Sequence, residues 1–589
     1  MKKLIELISK ETGKVFAEAG YDEALGRATI SNRPDLCEFQ CNGAMAGAKQ
    51  YHKAPFVIAE EVAAKLQNHT MFEKAECVKP GFLNLTLSKA YVRDYVEKMA
   101  KEPHFGLEAP ENPRTILIDY GGPNVAKPLH VGHLRTAVIG EAMKRILRYK
   151  GEKVTGDIHM GDWGLQMGLI IAELAVRNPD LSYFDRDFTG DYPKEAPFTV
   201  TELEEIYPSA SAKSKEDADF KAKAMEATKR LQDGERGYRA LWNHIMDVSV
   251  KDMKRNYDNL NVTFDLWRGE AFVHDLIPSM IDYMKQHGYA HESEGALVID
   301  VAEETDTREM PPLMILKSDG AALYGTTDLA TIMNRMEEFK TDVLIYIVDK
   351  RQELYFDQVF RAARKSKLVL PETELHFVGF GTMNGKDGKP FKTREGGVPR
   401  LENLIREIDE EMLSRIREGG SDMPEEEAKK AAHQIALSAI KYGDLSNQPS
   451  KDYVFDLEKF MSFEGDTGPY ILYTIVRIKS ILAKYEEGGG IVKDTRLQEA
   501  STDAEKALML ELARFTDSVD LSIAELSPTR ICAFIYAISN AFNSFYHETK
   551  ILTEPDETKK QGYIALLALT RSVLETGIDL LGFEAPDKM

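Results

Sequence analysis

The segment from Arg114 to Gly164, RTILIDYGGPNVAKPLHVGHLRTAVIGEAMKRILRYKGEKVTGDIHMGDWG, leaves this chain few folds to choose from. It opens on an apolar, β-branched run, Thr115 to Ile118, that ends at Asp119 and Tyr120 and reads as a buried parallel strand. A GGPN loop leads to HVGH (His130 to His133) and then to a helix marked by Leu134, Val138, Ile139, Met143, Ile146 and Leu147 and stopped by Gly151. Lys153 to Ile158 reads as a second strand. Strand, loop, helix, strand is a βαβ crossover, and ligands of such units sit beyond the carboxyl ends of the strands. Both histidines fall there, at a helix start whose unpaired N–H groups and positive potential favour an anion. The expectation is a phosphate site built with imidazoles.

Strand and helix patterns go on alternating to about Arg400. ALVIDV, LMILKS and ALYGTT read as strands leading back into the sheet, VLIYIV (Val343 to Val348) as a fully apolar strand, Leu354 to Ser366 as a helix and LHFVGFG as a further strand. That alternation predicts an α/β fold with a parallel sheet, Rossmann-like and nucleotide-binding. Within it, Asn178 to Asp219 reads as polar and loop-rich and roughly Phe220 to Leu260 as a long charged helical region. Beyond Leu401 helical periodicity dominates, and the first stretch, with a helix from Val57 to Leu66 and a strand-like KPGFLNLTL, reads as α+β. The expected domains are 1–110 (α+β), 111–400 (catalytic, with an insertion at about 178–300), 401–450 (helical stem) and 451–589 (all-α bundle).

Composition narrows the class. A chain of 589 residues exceeds one core. Its four cysteines show no CxxC pair and no zinc spacing, so a cytoplasmic protein with free thiols and no structural zinc is expected. No apolar run is long enough for a bilayer, so no membrane partner is expected. The N-terminus is broken by Glu6, Lys10, Glu11 and Lys14 and reads as an amphipathic helix, not a signal peptide. The net charge of −21 speaks only of the mean, because nucleic-acid affinity comes from local Lys and Arg contacts.

HVGH resembles the HIGH motif of class I aminoacyl-tRNA synthetases. GPNVAKPLHVGHLRTAVIG with HMGDWG, then ALYGTTDLA, VDKRQELYF, GKDGKPFKTREGG and GDTGPYILYTIVRIKSIL, resemble the bacterial arginyl-tRNA synthetase family in order and over nearly the whole chain. The resemblance implies an N-terminal domain that touches the tRNA elbow and a C-terminal anticodon-binding bundle. It implies ATP-dependent activation of L-arginine, Mg²⁺ accompanying ATP, transfer to the terminal adenosine of tRNA(Arg), a monomer, and a need for tRNA before arginine is activated. No insertion resembles a hydrolytic editing domain.

The implied residues follow the motifs. Attack of a carboxylate on the α-phosphate gathers negative charge, so catalysis is mostly placement of cations and N–H donors. His130 and His133 fall to the ATP phosphates, with Gly132 leaving room for adenine. GKDGKPFKTREGG aligns with the KMSKS loop of the class, but only Lys389 and Lys392 agree, and Lys127 ahead of HVGH supplies the missing charge. A guanidinium needs carboxylates matching its fork. Family correspondence puts Asp119, Asn124, Tyr324, Asp328 and Gln352 in the arginine pocket, Asn124 and Gln352 at the α-amino and carboxylate end. If YGTTD starts a helix, Tyr324 and Asp328 share a face. Gly121-Gly122 departs from the small polar residues usual there. Phe39, Gln40 and Asn42 match the elbow-binding motif. Tyr470, Tyr473, Arg477, Phe542, Phe545 and Tyr546 recur at helical spacing; such a stripe is usually core, yet anticodon bases stack on aromatics and Arg planes, which makes Arg477 and Tyr546 the tRNA candidates. Three rivals stand beside this reading: a zinc hydrolase on His130, His133 and His159 with Asp162, a catalytically silent tRNA-binding paralogue, and a class I synthetase for another amino acid.

Overall fold

A computed structural model of the chain describes residues 1–318, 320–391, 399–420 and 422–589. They form two compact units: Pro110–Phe460 with Leu581–Phe583, and Met1–Ala109 with Met461–Leu580 and Glu584–Met589.

The first unit is built on four parallel strands. In chain order its central elements are β1 (Thr115–Asp119), α1 (Leu134–Lys150), β2 (Lys153–Asp157), α2 (Tyr324–Phe339), β3 (Val343–Asp349), α3 (Glu353–Lys365) and β4 (Glu374–Phe380). The spatial order is β4-β3-β1-β2. β1 pairs Ile118 with Ile345 of β3 on one side and with Gly156 of β2 on the other. Val343 to Ile347 are all buried, as a strand with helices on both faces requires. α1 crosses from β1 to β2 and ends on Gly151 at φ 104°, a left-handed cap that lacks a Cβ penalty only in glycine. The chain leaves β1 and β3 in opposite directions across the sheet, so the crevice beyond their carboxyl ends is the switch point where ligands bind.

Three expectations need correction. ALVIDV and LMILKS do not join this sheet: Ala296–Ile299 and Leu313–Leu316 make a separate antiparallel sheet with His291–Ser293. ALYGTT is no strand, because Tyr324 starts α2 and the Thr326 hydroxyl accepts the Leu323 N–H at 2.9 Å. The supposed loop of 178–219 contains the helix Val200–Glu216, announced by a Thr199–Glu202 capping box and masked in the sequence by Pro208. The long charged helical region consists of two helices, Ala218–Gln232 and Arg236–Asn259, separated at Gly234 with φ 88°. The helices Leu401–Glu418 and Glu425–Leu445, expected as a stem, lie within this first unit.

The second unit joins a four-stranded antiparallel sheet, Ala28–Ile30, Phe39–Cys41, Phe82–Leu87 and Phe72–Val78 in that spatial order, to five helices from Gly468 to Leu580. Lys506, buried on the helix Asp503–Leu512, fastens the two parts by pairing with Glu38 at 2.5 Å and donating to the Leu87 carbonyl at 2.6 Å. Among the described residues no helix is long and apolar enough to cross a membrane.

Candidate active site

HVGH forms a 3-10 turn (Val131–His133) ahead of α1. The His130 N–H donates to His133 Nδ1 at 3.2 Å, and the Gly132 N–H donates to His130 Nδ1 at 3.0 Å. The rings lie 3.9 Å apart. With both Nδ1 atoms accepting, each neutral imidazole carries its proton on Nε2. Burial pushes His133 down to about 3, with His130 adding to the effect, and burial together with Lys127 lowers His130. At neutral pH the pair therefore presents two N–H donors and no charge. The cationic share falls to lysines, of which Lys127 lies 4.5 Å over the Tyr207 ring. Gly132, the position expected to leave room for adenine, lines the cavity described next, and a Cβ there would meet the ring of His130 at 2.7 Å.

A cavity of about 380 Å³ opens at these rings, beyond the ends of β1, β3 and β4, lined by Asp119, His130, His133, Gln352, Phe380 and Phe391 among others. Two side chains of α1 fix its walls. Thr136 Oγ1 donates to the Ile347 carbonyl at 2.7 Å and accepts the Gly121 N–H at 2.9 Å. Arg135, buried, pairs with Asp444 at 3.0 Å and donates to the carbonyls of Gly381 and Lys451. The lysine loop is moored at both ends: Phe391 N–H donates to the Met383 carbonyl, and Val131 N–H to that of Pro399, both at 3.0 Å. Lys389 is exposed at its near end. Lys392 lies outside the described residues.

Beside this cavity the chain gathers acids. Tyr324, 73% exposed, and Asp328 occupy successive turns of α2, and Asp328 accepts the Tyr355 hydroxyl. Glu270 and Asp162 are brought in by a short bridge between Met160 and Gly269, where Met160 O accepts the Glu270 N–H at 3.1 Å and Asp162 Oδ1 the Ala271 N–H at 3.0 Å. Burial raises Glu270 to about 7, with the charges of Asp162 and Asp328 adding to it, and raises Asp162 to about 6. Asp328 also lies above the ordinary carboxylate range, chiefly through burial. His159 opposes all three shifts. The zinc alternative grouped His159 and Asp162 with the HVGH pair; they stand instead with Glu270 and Asp328, and among the described residues no cluster fit for a metal occurs.

The remaining pocket candidates are placed as follows. Asp119, expected to face the substrate, has Oδ2 held by Arg335 Nη2 at 2.6 Å. Asn124 is exposed in the loop bridged to Gly161, and Gln352 lines the histidine cavity. Glu270 and Tyr355 escaped the sequence reading. Tyr355 stands in VDKRQELYF and was within reach, whereas Glu270 carries no local signal because the Met160–Gly269 bridge that delivers it is a long-range pairing.

A family model described as "tRNA synthetases class I (R), catalytic domain" matches residues 97–457. The chain belongs to the arginyl-tRNA synthetases of class I. Models described as "Arginyl tRNA synthetase N terminal domain" and "DALR anticodon binding domain" match residues 2–87 and 471–589. It is 59% identical to a protein named arginine–tRNA ligase from Agathobacter rectalis and 52% identical to one from Alkaliphilus oremlandii, each alignment covering 100% of both chains. In fold it matches arginyl-tRNA synthetase structures from Plasmodium falciparum (TM-score 0.79) and Thermus thermophilus (0.78), each 23% identical and covering 100% of both chains.

In this synthetase the second unit offers a polar aromatic face. Arg477 lies over the rings of Tyr473 (4.5 Å) and Tyr546 (5.0 Å), its Nη2 donates to the Tyr473 hydroxyl at 2.8 Å, and its Nη1 to Asn543 Oδ1 at 3.2 Å. Tyr473 and Tyr546 are 41% and 36% exposed, while Phe542 and Phe545 are buried, so the stripe divides into a core half and a surface half. On the N-terminal sheet Gln40 donates to Asn84 at 3.0 Å and Asn42 is exposed. Phe39, expected to meet tRNA, is instead buried against the sheet's own core, since strand alternation turns it inward.

Proposed function

We propose a division of labour for the arginine–tRNA ligase reaction among the groups just described. An oxygen of the arginine carboxylate attacks the α-phosphorus of ATP; the new P–O bond forms as the bond to pyrophosphate breaks. A ribose hydroxyl of the terminal adenosine of tRNA(Arg) then attacks the arginyl carbonyl, and AMP leaves. The Nε2–H groups of His130 and His133 donate to phosphate oxygens, and Lys127, Lys389 and Lys392 supply positive charge that the neutral imidazoles do not. Mg²⁺ enters with the triphosphate as its counter-ion. Asp328, Glu270 and Asp162 take the guanidinium, Tyr324 closes over its stem, and Asn124 and Gln352 serve the α-amino and carboxylate end. Asp119 lends charge from behind.

What supports this reading is the surplus of carboxylate. Three acids crowd one site, and burial raises all three above their ordinary range. A bound guanidinium removes that strain, because a planar cation with five donors pairs with several carboxylates at once. A pocket of this kind rejects uncharged isosteres by leaving the acids unpaired. The test is tRNA charging with Asp328→Ala: the arginine KM should rise at least tenfold with the ATP KM within twofold, and equal effects on both would remove Asp328 from the amino-acid pocket. The same enzyme is proposed to need tRNA for arginine activation; arginine-dependent pyrophosphate exchange at full rate without tRNA would refute that. Gln40 and Asn42 at the N-terminal sheet, and Arg477, Tyr473 and Tyr546 on the helices of the second unit, are the proposed tRNA contacts.

A further inference from the structure

Arg335 sits on α2 seven residues after Asp328, so the two side chains project from nearly the same line along the helix, two turns apart. It is 2% exposed. Its Nη2 donates to Asp119 Oδ2 at 2.6 Å and to Asp157 Oδ2 at 2.8 Å, and its Nη1 donates to the Tyr346 hydroxyl at 3.1 Å. Asp119 ends β1, Asp157 ends β2 and Tyr346 belongs to β3. One guanidinium thus ties the helix that carries Tyr324 and Asp328 to three adjacent strands, at the edge where the substrate is activated.

We propose that Arg335 is a positioning residue for arginine selection: a resident guanidinium that occupies Asp119 and Asp157, so that the acids left over for substrate are Asp328, Glu270 and Asp162. Two observations make it more than a structural ion pair. Asp119 lines the histidine cavity, so one of the acids Arg335 satisfies belongs to the wall of the site itself. Asp119 and Arg335 also act on Asp328 in opposite senses, the carboxylate opposing its ionisation and the guanidinium favouring it. Without Arg335 two nearly buried carboxylates would stand unpaired behind Asp328. Ionisation of Asp328 would then be opposed by the neighbouring carboxylate, and a substrate cation would face two competing acid sets. Geometry and charge distribution both depend on the planar fork, which lysine lacks.

The inference rests on the reading of Asp328 and Glu270 as the substrate's partners, and the experiment separates the two. The full-length enzyme is assayed for tRNA charging as wild type, Arg335→Ala, Arg335→Lys and Asp328→Asn, with and without millimolar guanidinium chloride and with sodium chloride as the ionic control. Arg335→Ala should raise the arginine KM at least tenfold and leave the ATP KM within twofold. Guanidinium should compete with arginine in the wild type, and so inhibit it, yet activate Arg335→Ala severalfold by refilling the vacated position. That opposite sign is a response a purely structural role would not give. Arg335→Lys, which keeps the charge without the fork, should raise the arginine KM threefold to tenfold and decides the matter if the alanine variant does not fold. An unchanged arginine KM in the folded variants, equal changes in both KM values, or inhibition by guanidinium throughout would overturn the proposal. If Asp328→Asn raises the arginine KM while the Arg335 variants do not, only this inference falls; if neither does, the pocket reading falls with it.

Discussion

At the scale of single residues, the site works by holding groups in the protonation state that the chemistry needs. His130 and His133 are kept neutral by burial, with Lys127 adding to it at both and His130 adding to it at His133, and their backbone-bound Nδ1 atoms commit the outward nitrogens to donation. Glu270 and Asp162 are kept part-protonated until a cation arrives. The sign of the consequence is fixed. A carboxyl whose pKa is raised in the free enzyme must give up its proton to pair with guanidinium, so acid opposes arginine binding and alkali favours it. With values near 7 and 6, the arginine KM of the wild type should rise roughly tenfold between pH 7.5 and pH 6, at one proton per tenfold step for each group below its pKa. A KM independent of pH over that window would mean that the acids are already ionised before substrate binds.

At the scale of elements, α1 and α2 are two arms reaching the same crevice. α1 is held at its start by Thr136, whose hydroxyl closes two hydrogen bonds in the buried space between β3 and the loop after β1. Thr136→Val keeps the shape but strands a carbonyl and an N–H, at a cost of about 1–3 kcal/mol for each buried group left unpaired. The expected outcome is a lowered Tm and a reduced kcat with arginine and ATP KM values changed less than threefold; an unchanged kcat would show that the mooring of α1 does not matter to the reaction. These two arms also mark how far the sequence could be read. The βαβ unit was legible from apolar runs and from Gly151, because parallel strands buried on both faces leave a strong local pattern. The start of α2 was legible only as one of two readings, since the Tyr324 turn is secured by Thr326 accepting the Leu323 N–H, inside a stretch whose β-branched residues suggest a strand. The helix at Val200–Glu216 was hidden by Pro208 although its capping box was in plain view. Asp328 and Tyr324 came from resemblance; Glu270 and Arg335 came only from pairings between distant segments, which no local pattern encodes.

At the scale of the whole molecule, a chain with net charge −21 must still hold a polyanion, and contacts with bases in place of bulk attraction are one way to do so. Arg477 with Tyr473 and Tyr546 is such a surface, a guanidinium plane between two exposed rings. Base stacking of this kind contributes about 1–3 kcal/mol per base. Arg477→Ala should therefore raise the KM for tRNA by roughly fivefold to a hundredfold, with kcat at saturating tRNA within twofold of wild type. Filter binding that shows unaltered tRNA affinity would send these residues back to a structural role.

The account as a whole turns on a surplus of negative charge that awaits a guanidinium, and Glu270→Gln removes one such charge while keeping shape and volume. The most direct measurement is the arginine KM of this variant at pH 7.5 and pH 6, in tRNA charging at saturating ATP. A charge-assisted hydrogen bond of about 1.5–3 kcal/mol predicts a KM about ten to a hundred times higher at pH 7.5 and a flattened dependence between the two pH values. An arginine KM equal to that of the wild type at both pH values would contradict it.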